Sequence, residues 1–209
     1  MTHSRCLILS IYLVLCTAYA STLTAEPMRK MHSSKRESST KQPSRYSVKE
    51  LVDPQGNPLP KPFWNNPAPV GTPHVEVTLS EQVARVYFDG VLVGQSPISS
   101  GRPGNETPTG EFTVINKNRS HYSNLYGSWI DAEGKFAGEA SAGRKAPAGL
   151  RYAPAPMPFF IRLTDSGVGF HQGFIPGYPA SRGCIRLPKE TAETFFDHLP
   201  LKTRVLINP

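Results

Sequence analysis

From His74 onward, turn residues cut the chain into short apolar runs, and this rhythm limits its possible folds more than any other feature. His74 to Leu79 alternates, placing Val75, Val77 and Leu79 on one face of a strand. Val83 to Phe88 and Val91 to Ile98 flank Asp89-Gly90, the strongest short-range hairpin signal. Glu111 to Asn116 is a further short strand, following Pro108-Thr109-Gly110. Trp129-Ile130 and Phe136-Ala137 bracket the turn Asp131 to Gly134. Phe159 to Leu163 and Val168 to His171 bracket Asp165-Ser166-Gly167, and Thr203 to Ile207 closes the chain. One helix stands out. Pro188 suits its first turn, Ala192, Phe195, Phe196 and Leu199 follow the 3.6-residue period, and Pro200 stops it. Many short strands with one or two short helices make a mostly β chain of sandwich or barrel-like form. Ser120 to Pro158 has weak patterning and abundant Gly, Ala and Pro, and reads as a long loop or lid over a site.

The chain upstream of this rhythm has three different textures. Residues 1–20 place Arg5 before an apolar run from Cys6 to Cys16 and end in Ala18-Tyr19-Ala20. That is the layout of a secretory signal peptide, and the run is short for a bilayer span of roughly 20 residues. The competing reading is a retained N-terminal anchor. Residues 21–50 hold ten Ser/Thr, seven Lys/Arg and three Glu with few large apolar residues, which reads as a disordered basic stretch. Residues 51–72 carry six prolines and read as a semi-rigid linker, within which Phe63-Trp64 is able to dock on the domain. The folding domain is then residues 73–209, taken as a monomer.

Charge and thiols sort along the same boundaries. The formal charge of the whole chain is +7, but residues 73–209 hold 14 basic and 12 acidic side chains. The basic excess lies in the tail, so nucleic acid is excluded as a partner of the domain. The tail itself suits weak adhesion to anionic wall polymers or a membrane surface. Of three cysteines, Cys6 and Cys16 leave with the signal peptide, and Cys184 remains without an internal partner. In an exported protein a lone thiol is inert and buried, bridged to another molecule, or a nucleophile.

Cys184 sits in Ser181-Arg182-Gly183-Cys184-Ile185-Arg186, shortly before the helix. His171 lies upstream at a strand end, across a Gly- and Pro-rich loop able to fold back. A free thiol of pKa near 8.5 is only about 3% thiolate at pH 7, so a neighbouring imidazole is the natural activator. Arg186 suits a substrate carboxylate. The N–H groups of Gly183 and Cys184 are candidates for an oxyanion hole. The bland alternative is a buried cysteine beside an incidental histidine.

His171 followed by Ser181-x-Gly183-Cys184-Ile185-Arg186 resembles the signature of L,D-transpeptidase catalytic domains of the YkuD type. Gly101 to Phe112, Ser123 to Gly127 and Ala155 to Phe160 are similar to further segments of the family, so the likeness spans roughly residues 74–208. The usual pattern has His between the Ser and the Gly; here Arg182 stands there. The resemblance implies a mixed β-sandwich with a short helix, no metal or organic cofactor, and peptidoglycan stem peptides as substrate. It implies Cys184 as nucleophile, forming a thioester with release of D-Ala, and His171 as base and then acid. It implies Gly183 and Cys184 at the oxyanion, Arg186, Ser181 and Arg182 as substrate-binding or supporting residues, and a place in the periplasm or cell envelope. An amine acceptor gives a 3→3 cross-link or related exchange, and water gives an L,D-carboxypeptidase. A fold-retaining wall-binding module without catalysis is the alternative of another class.

Overall fold

The computed structural model describes residues 52–209. The expected signal peptide and basic stretch lie outside the described residues.

Two mixed sheets form the domain. The strands are β1 (Phe63–Trp64), β2 (Pro73–Thr78), β3 (Val83–Phe88), β4 (Val91–Pro97), β5 (Gly110–Thr113), β6 (Asn116–Ile130), β7 (Phe136–Ser141), β8 (Arg151–Arg162), β9 (Gly169–Gln172), β10 (Ile185–Leu187) and β11 (Arg204–Asn208). A single helix, α1 (Lys189–His198), lies between β10 and β11. The six-stranded sheet runs β1-β4-β3-β2-β11-β5, and the five-stranded sheet runs β10-β9-β8-β6-β7. β11 lies parallel to β2 and β10 parallel to β9, while the remaining pairs are antiparallel.

The six-stranded sheet follows from alternation. Val75 and Val77 on β2, Val86 on β3 and Val205 and Ile207 on β11 are fully or almost fully buried, each separated from the next by a more exposed neighbour. The turn between β3 and β4 needs two consecutive residues at positive φ. Asp89 (φ 46°) and Gly90 (φ 80°) supply them, the requirement of a primed hairpin turn. Trp64 of β1 pairs with Gly94 and packs against Phe88 and Phe195, so the proline-rich stretch is fastened to the domain here.

Helix α1 closes the core from one side. Ala192, Phe195 and Leu199 are fully buried, and Phe195 meets Phe170 of β9 edge to face. Burying such a side chain contributes roughly 1.5–3 kcal/mol. Pro188 stands just before the helix rather than inside its first turn, and its carbonyl accepts the Ala192 N–H at 2.9 Å.

The expected loop over Ser120 to Pro158 is instead the long arms of the second sheet. β6 and β8 pair from Asn116↔Arg162 to Tyr122↔Pro156 and resume at Gly127↔Pro154. Pro154, Pro156 and Pro158 recur at every second position, so their missing N–H groups all face away from β6 and cost the ladder nothing. The strand signal is weak because no residue of β6 is fully buried. The β6–β8 ladder lapses at Ser123–Tyr126, between the two paired stretches, and residues 142–150 join β7 to β8 without strand structure.

Candidate active site

The site lies where β8 and β9 part. They pair only at Ile161↔Phe170 and Arg162↔Gly169. Beyond that point β8 carries Phe159 in the left-handed region (φ 57°), an unusual conformation for an aromatic residue, followed toward its N-terminus by Pro158. The cleft of about 410 Å³ beside this opening is walled by Ala155, Pro156 and Met157 on one side and His171 to Phe174 on the other. Cys184, Arg182 and Arg186 line it as well.

β9 and β10 bring the chemistry together. Their parallel register sets Arg186 beside His171, and Cys184 lies two residues before Arg186, at the entrance to β10. Strand periodicity puts registered neighbours and alternate residues on one face. The Gly- and Pro-rich loop between His171 and Cys184 therefore does return as its composition implies. Upstream, the backbone of Val52 and Asp53 lies against Gly177 of this loop, where a Cβ would come within 2.6 Å of the Asp53 Cα.

A network of hydroxyls and backbone groups fixes the cysteine loop. Ser181 Oγ donates to the Cys184 carbonyl at 2.5 Å and accepts the Gly183 N–H at 3.1 Å. Thr107, which is buried, accepts the Gly101 N–H at 2.8 Å and donates to the Gly183 carbonyl at 2.9 Å. Ser99 and Arg186 exchange backbone hydrogen bonds at 3.1 and 3.0 Å, and the Ser100 carbonyl accepts the N–H groups of Ala180 and Ser181. Gly183 itself has φ 108°, a conformation that side chains rarely take.

This network corrects one expectation. Gly183 and Cys184 do not offer a free pair of N–H donors, because the Gly183 N–H is engaged by Ser181 Oγ. The Cys184 N–H is the half of the expected pair that remains a candidate.

Burial favours the neutral form of both His171 and Cys184. His171 Nδ1 lies 2.7 Å from the Gln172 carbonyl. A carbonyl only accepts, so Nδ1 carries the hydrogen and Nε2 keeps its lone pair. Burial pushes the His171 pKa down to about 4, against the pull of the Gln172 carbonyl and with further lowering from Arg186 and His121. Burial raises the Cys184 thiol, opposed by the Gly169 N–H and by the charges of Arg186 and Arg162. The thiol lies 3.5 Å from the Gly167 carbonyl.

Three arginines and one glutamate set the charge of the cleft. Arg186 is half-buried, and burial lowers its pKa. Its stem runs over Gly173, where a Cβ would fall 2.8 Å from its Cγ. Among the described residues no carboxylate lies within 4 Å of its guanidinium. Arg182 lies 4.6 Å from the Tyr126 ring centre and 2.5 Å from Glu139 of β7, which Arg102 also approaches at 3.5 Å. Thus all of Ser181, Arg182, Gly183, Cys184, Arg186 and His171 gather here.

Sequence reasoning passed over Thr107, Glu139 and the Gln172 carbonyl. Thr107 lies within the Gly101 to Phe112 segment, but its partner Gly183 is 76 residues away in the chain, and a backbone carbonyl has no residue-type signature. Three other aromatic side chains stack or pack on neighbours, and one of them, His121, also lines a second pocket that reaches Cys184. Trp129 packs edge-on against Tyr152, His121 stacks on Phe160 at 4.3 Å, and His74 stacks on Tyr87 at 4.8 Å.

Residues 72–207 match the YkuD family, described as the L,D-transpeptidase catalytic domain. The chain belongs to this family, whose members are cysteine-dependent enzymes acting on peptidoglycan. A Bacillus subtilis relative named as an L,D-transpeptidase, YqjB, is 28% identical over 153 residues, covering 70% of this chain and 76% of its own length. A Mycobacterium tuberculosis relative, named as L,D-transpeptidase 3, is 27% identical over 146 residues, covering 68% of this chain and 44% of its own length. The solved structure of an L,D-transpeptidase from Mycobacterium smegmatis shares the fold, with a TM-score of 0.51 and 19% identity over 66% of this chain and 59% of that one. The chain therefore spans less than two thirds of these mycobacterial chains.

Proposed function

We propose that this chain is an L,D-transpeptidase of peptidoglycan stem peptides. The observation that carries the reading is that His171 and Cys184, brought together by two paired parallel strands, line one cleft with the imidazole held as the Nδ1–H tautomer.

The reaction follows from those atoms. His171 Nε2 takes the thiol proton as Cys184 Sγ attacks the carbonyl that joins the L-centre of diaminopimelate to the terminal D-residue. Proton transfer accompanies attack, since burial disfavours a standing thiolate–imidazolium pair. The Cys184 N–H receives the developing oxyanion. Collapse breaks the C–N bond, D-Ala leaves with the proton from His171, and a thioester stays on Cys184. An amine, deprotonated by the same imidazole, then attacks the thioester and restores the thiol, giving a 3→3 cross-link or related exchange. Arg186 receives a substrate carboxylate, and Ser181 and Arg182 hold the loop that carries the thiol. The enzyme uses no cofactor and works in the cell envelope after export by residues 1–20. The basic stretch of residues 21–50 adheres weakly to anionic wall polymer or membrane, and the domain acts as a monomer.

The test is product analysis with tetrapeptide muropeptides, with and without an added amine. The expected products are cross-linked or exchanged peptides that require the amine. Exclusive formation of tripeptide in its presence would establish the carboxypeptidase alternative, and no turnover would favour a wall-binding module.

A further inference from the structure

Two guanidinium groups from different elements converge on one carboxylate oxygen at the mouth of the cleft. Arg182 Nη2 lies 2.5 Å, and Arg102 Nη2 lies 3.5 Å, from Glu139 Oε2. Arg182 belongs to the cysteine loop, Arg102 follows the Ser99–Gly101 segment bound to that loop, and Glu139 stands on the edge strand β7. All three line the same cleft as Cys184, His171 and Arg186.

The three side chains are not equally fixed. Arg182 is 22% exposed and also lies over the Tyr126 ring, so it has a second anchor. Glu139 is 58% exposed, and the two arginines are its only ion-pair partners among the described residues. The arginines hold the Glu139 carboxyl below its ordinary range, so it stays ionised. The Glu139 carboxylate is the exposed member, so its attraction to the arginines is screened by water and salt. A paired arginine site is well suited to a planar carboxylate.

We propose that Glu139 is a resident stand-in for a substrate carboxylate. A carboxylate of the donor stem peptide, other than its terminal one, displaces Glu139 from Arg102 and Arg182. The pair then selects donors in which that group is free over donors in which it is amidated. Arg186, deeper in the cleft, remains available for a separate carboxylate. The inference rests on the peptidoglycan reading above and adds the residues that determine specificity within it.

The experiment uses binding, so it does not depend on turnover. The full chain carrying Cys184→Ala is titrated calorimetrically with a tetrapeptide stem whose internal carboxylates are free, and with the same peptide amidated. The expected result is tighter binding of the free peptide. Adding Glu139→Gln should strengthen that binding about 3- to 10-fold while leaving the amidated peptide nearly unchanged. Adding Arg182→Gln or Arg102→Gln should erase most of the difference between the two peptides. Equal binding of both peptides, or a Glu139→Gln effect identical for both, overturns the proposal and leaves the peptidoglycan reading intact. Binding of neither peptide overturns both.

Discussion

In the six-stranded sheet, β2, β3 and β11 bury Val75, Val77, Val86, Val205 and Ile207 behind a regular alternation. In the five-stranded sheet, β6 and β8 run for 15 and 12 residues with few buried side chains between them. One sheet supplies most of the alternating core, and the other carries the cleft. The short strands β9 and β10 join the two roles, since Phe170, Ile185 and Leu187 are fully buried while His171 and Arg186 line the cleft. Stability and chemistry are thus divided by region and meet at two strands of three or four residues.

Substitutions on the two sides should separate accordingly. Cys184→Ala should lower turnover by about 10³-fold or more with an unchanged thermal midpoint. A large fall in the midpoint would make the thiol part of the core instead. Phe195→Ala should do the opposite, costing about 3–5 kcal/mol in denaturant unfolding while folded molecules keep their turnover.

His171 belongs to both regions, and its signature is in pH. Its pKa is about 4 in the folded chain against 6.5 ordinarily. The unfolded chain therefore binds the extra proton first as pH falls. Stability contributed by the neutral imidazole should be complete above about 6.5 and lost as pH drops toward 4, on the order of 3 kcal/mol. Unfolding curves from pH 7.5 to 4 should show this slope, and His171→Gln should flatten it. Acylation should fall as pH drops toward 4, where His171 is protonated, and stay level above about pH 6, where neutral imidazole and neutral thiol are the reacting forms.

Thr107→Val should cost about 1–3 kcal/mol, less than Phe195→Ala, because it removes partners from the buried Gly101 N–H and Gly183 carbonyl. Its effect on kcat should exceed that of a substitution at exposed Tyr122, which lies outside this clamp. Equal effects would show that the clamp does not hold the cysteine loop.

The same division explains what the sequence disclosed. Alternation in Val83 to Phe88 and the Asp89-Gly90 pair were enough to place β3 and its turn, because packing and backbone conformation there demand particular residue types. Ser120 to Pro158 looked like a loop because half-exposed strands tolerate Ser, Asn, Gly and alternating Pro. At the site, Cys184 and His171 were legible as candidate residues with a loop fit to join them. The fate of the Gly183 N–H was not, since it depends on where one hydroxyl, Ser181 Oγ, points. Thr107 reaches Gly183 across 76 residues of chain, a distance no local pattern spans.

The proposed chemistry stands or falls with Cys184 as the nucleophile. Intact-mass spectrometry after incubation with a carbapenem, whose ring opening leaves a thioester, tests it most directly. A single adduct of the full inhibitor mass is expected, mapped by peptide digestion to Cys184 and missing from Cys184→Ala. An unmodified folded protein, or an adduct that persists in Cys184→Ala, would contradict it.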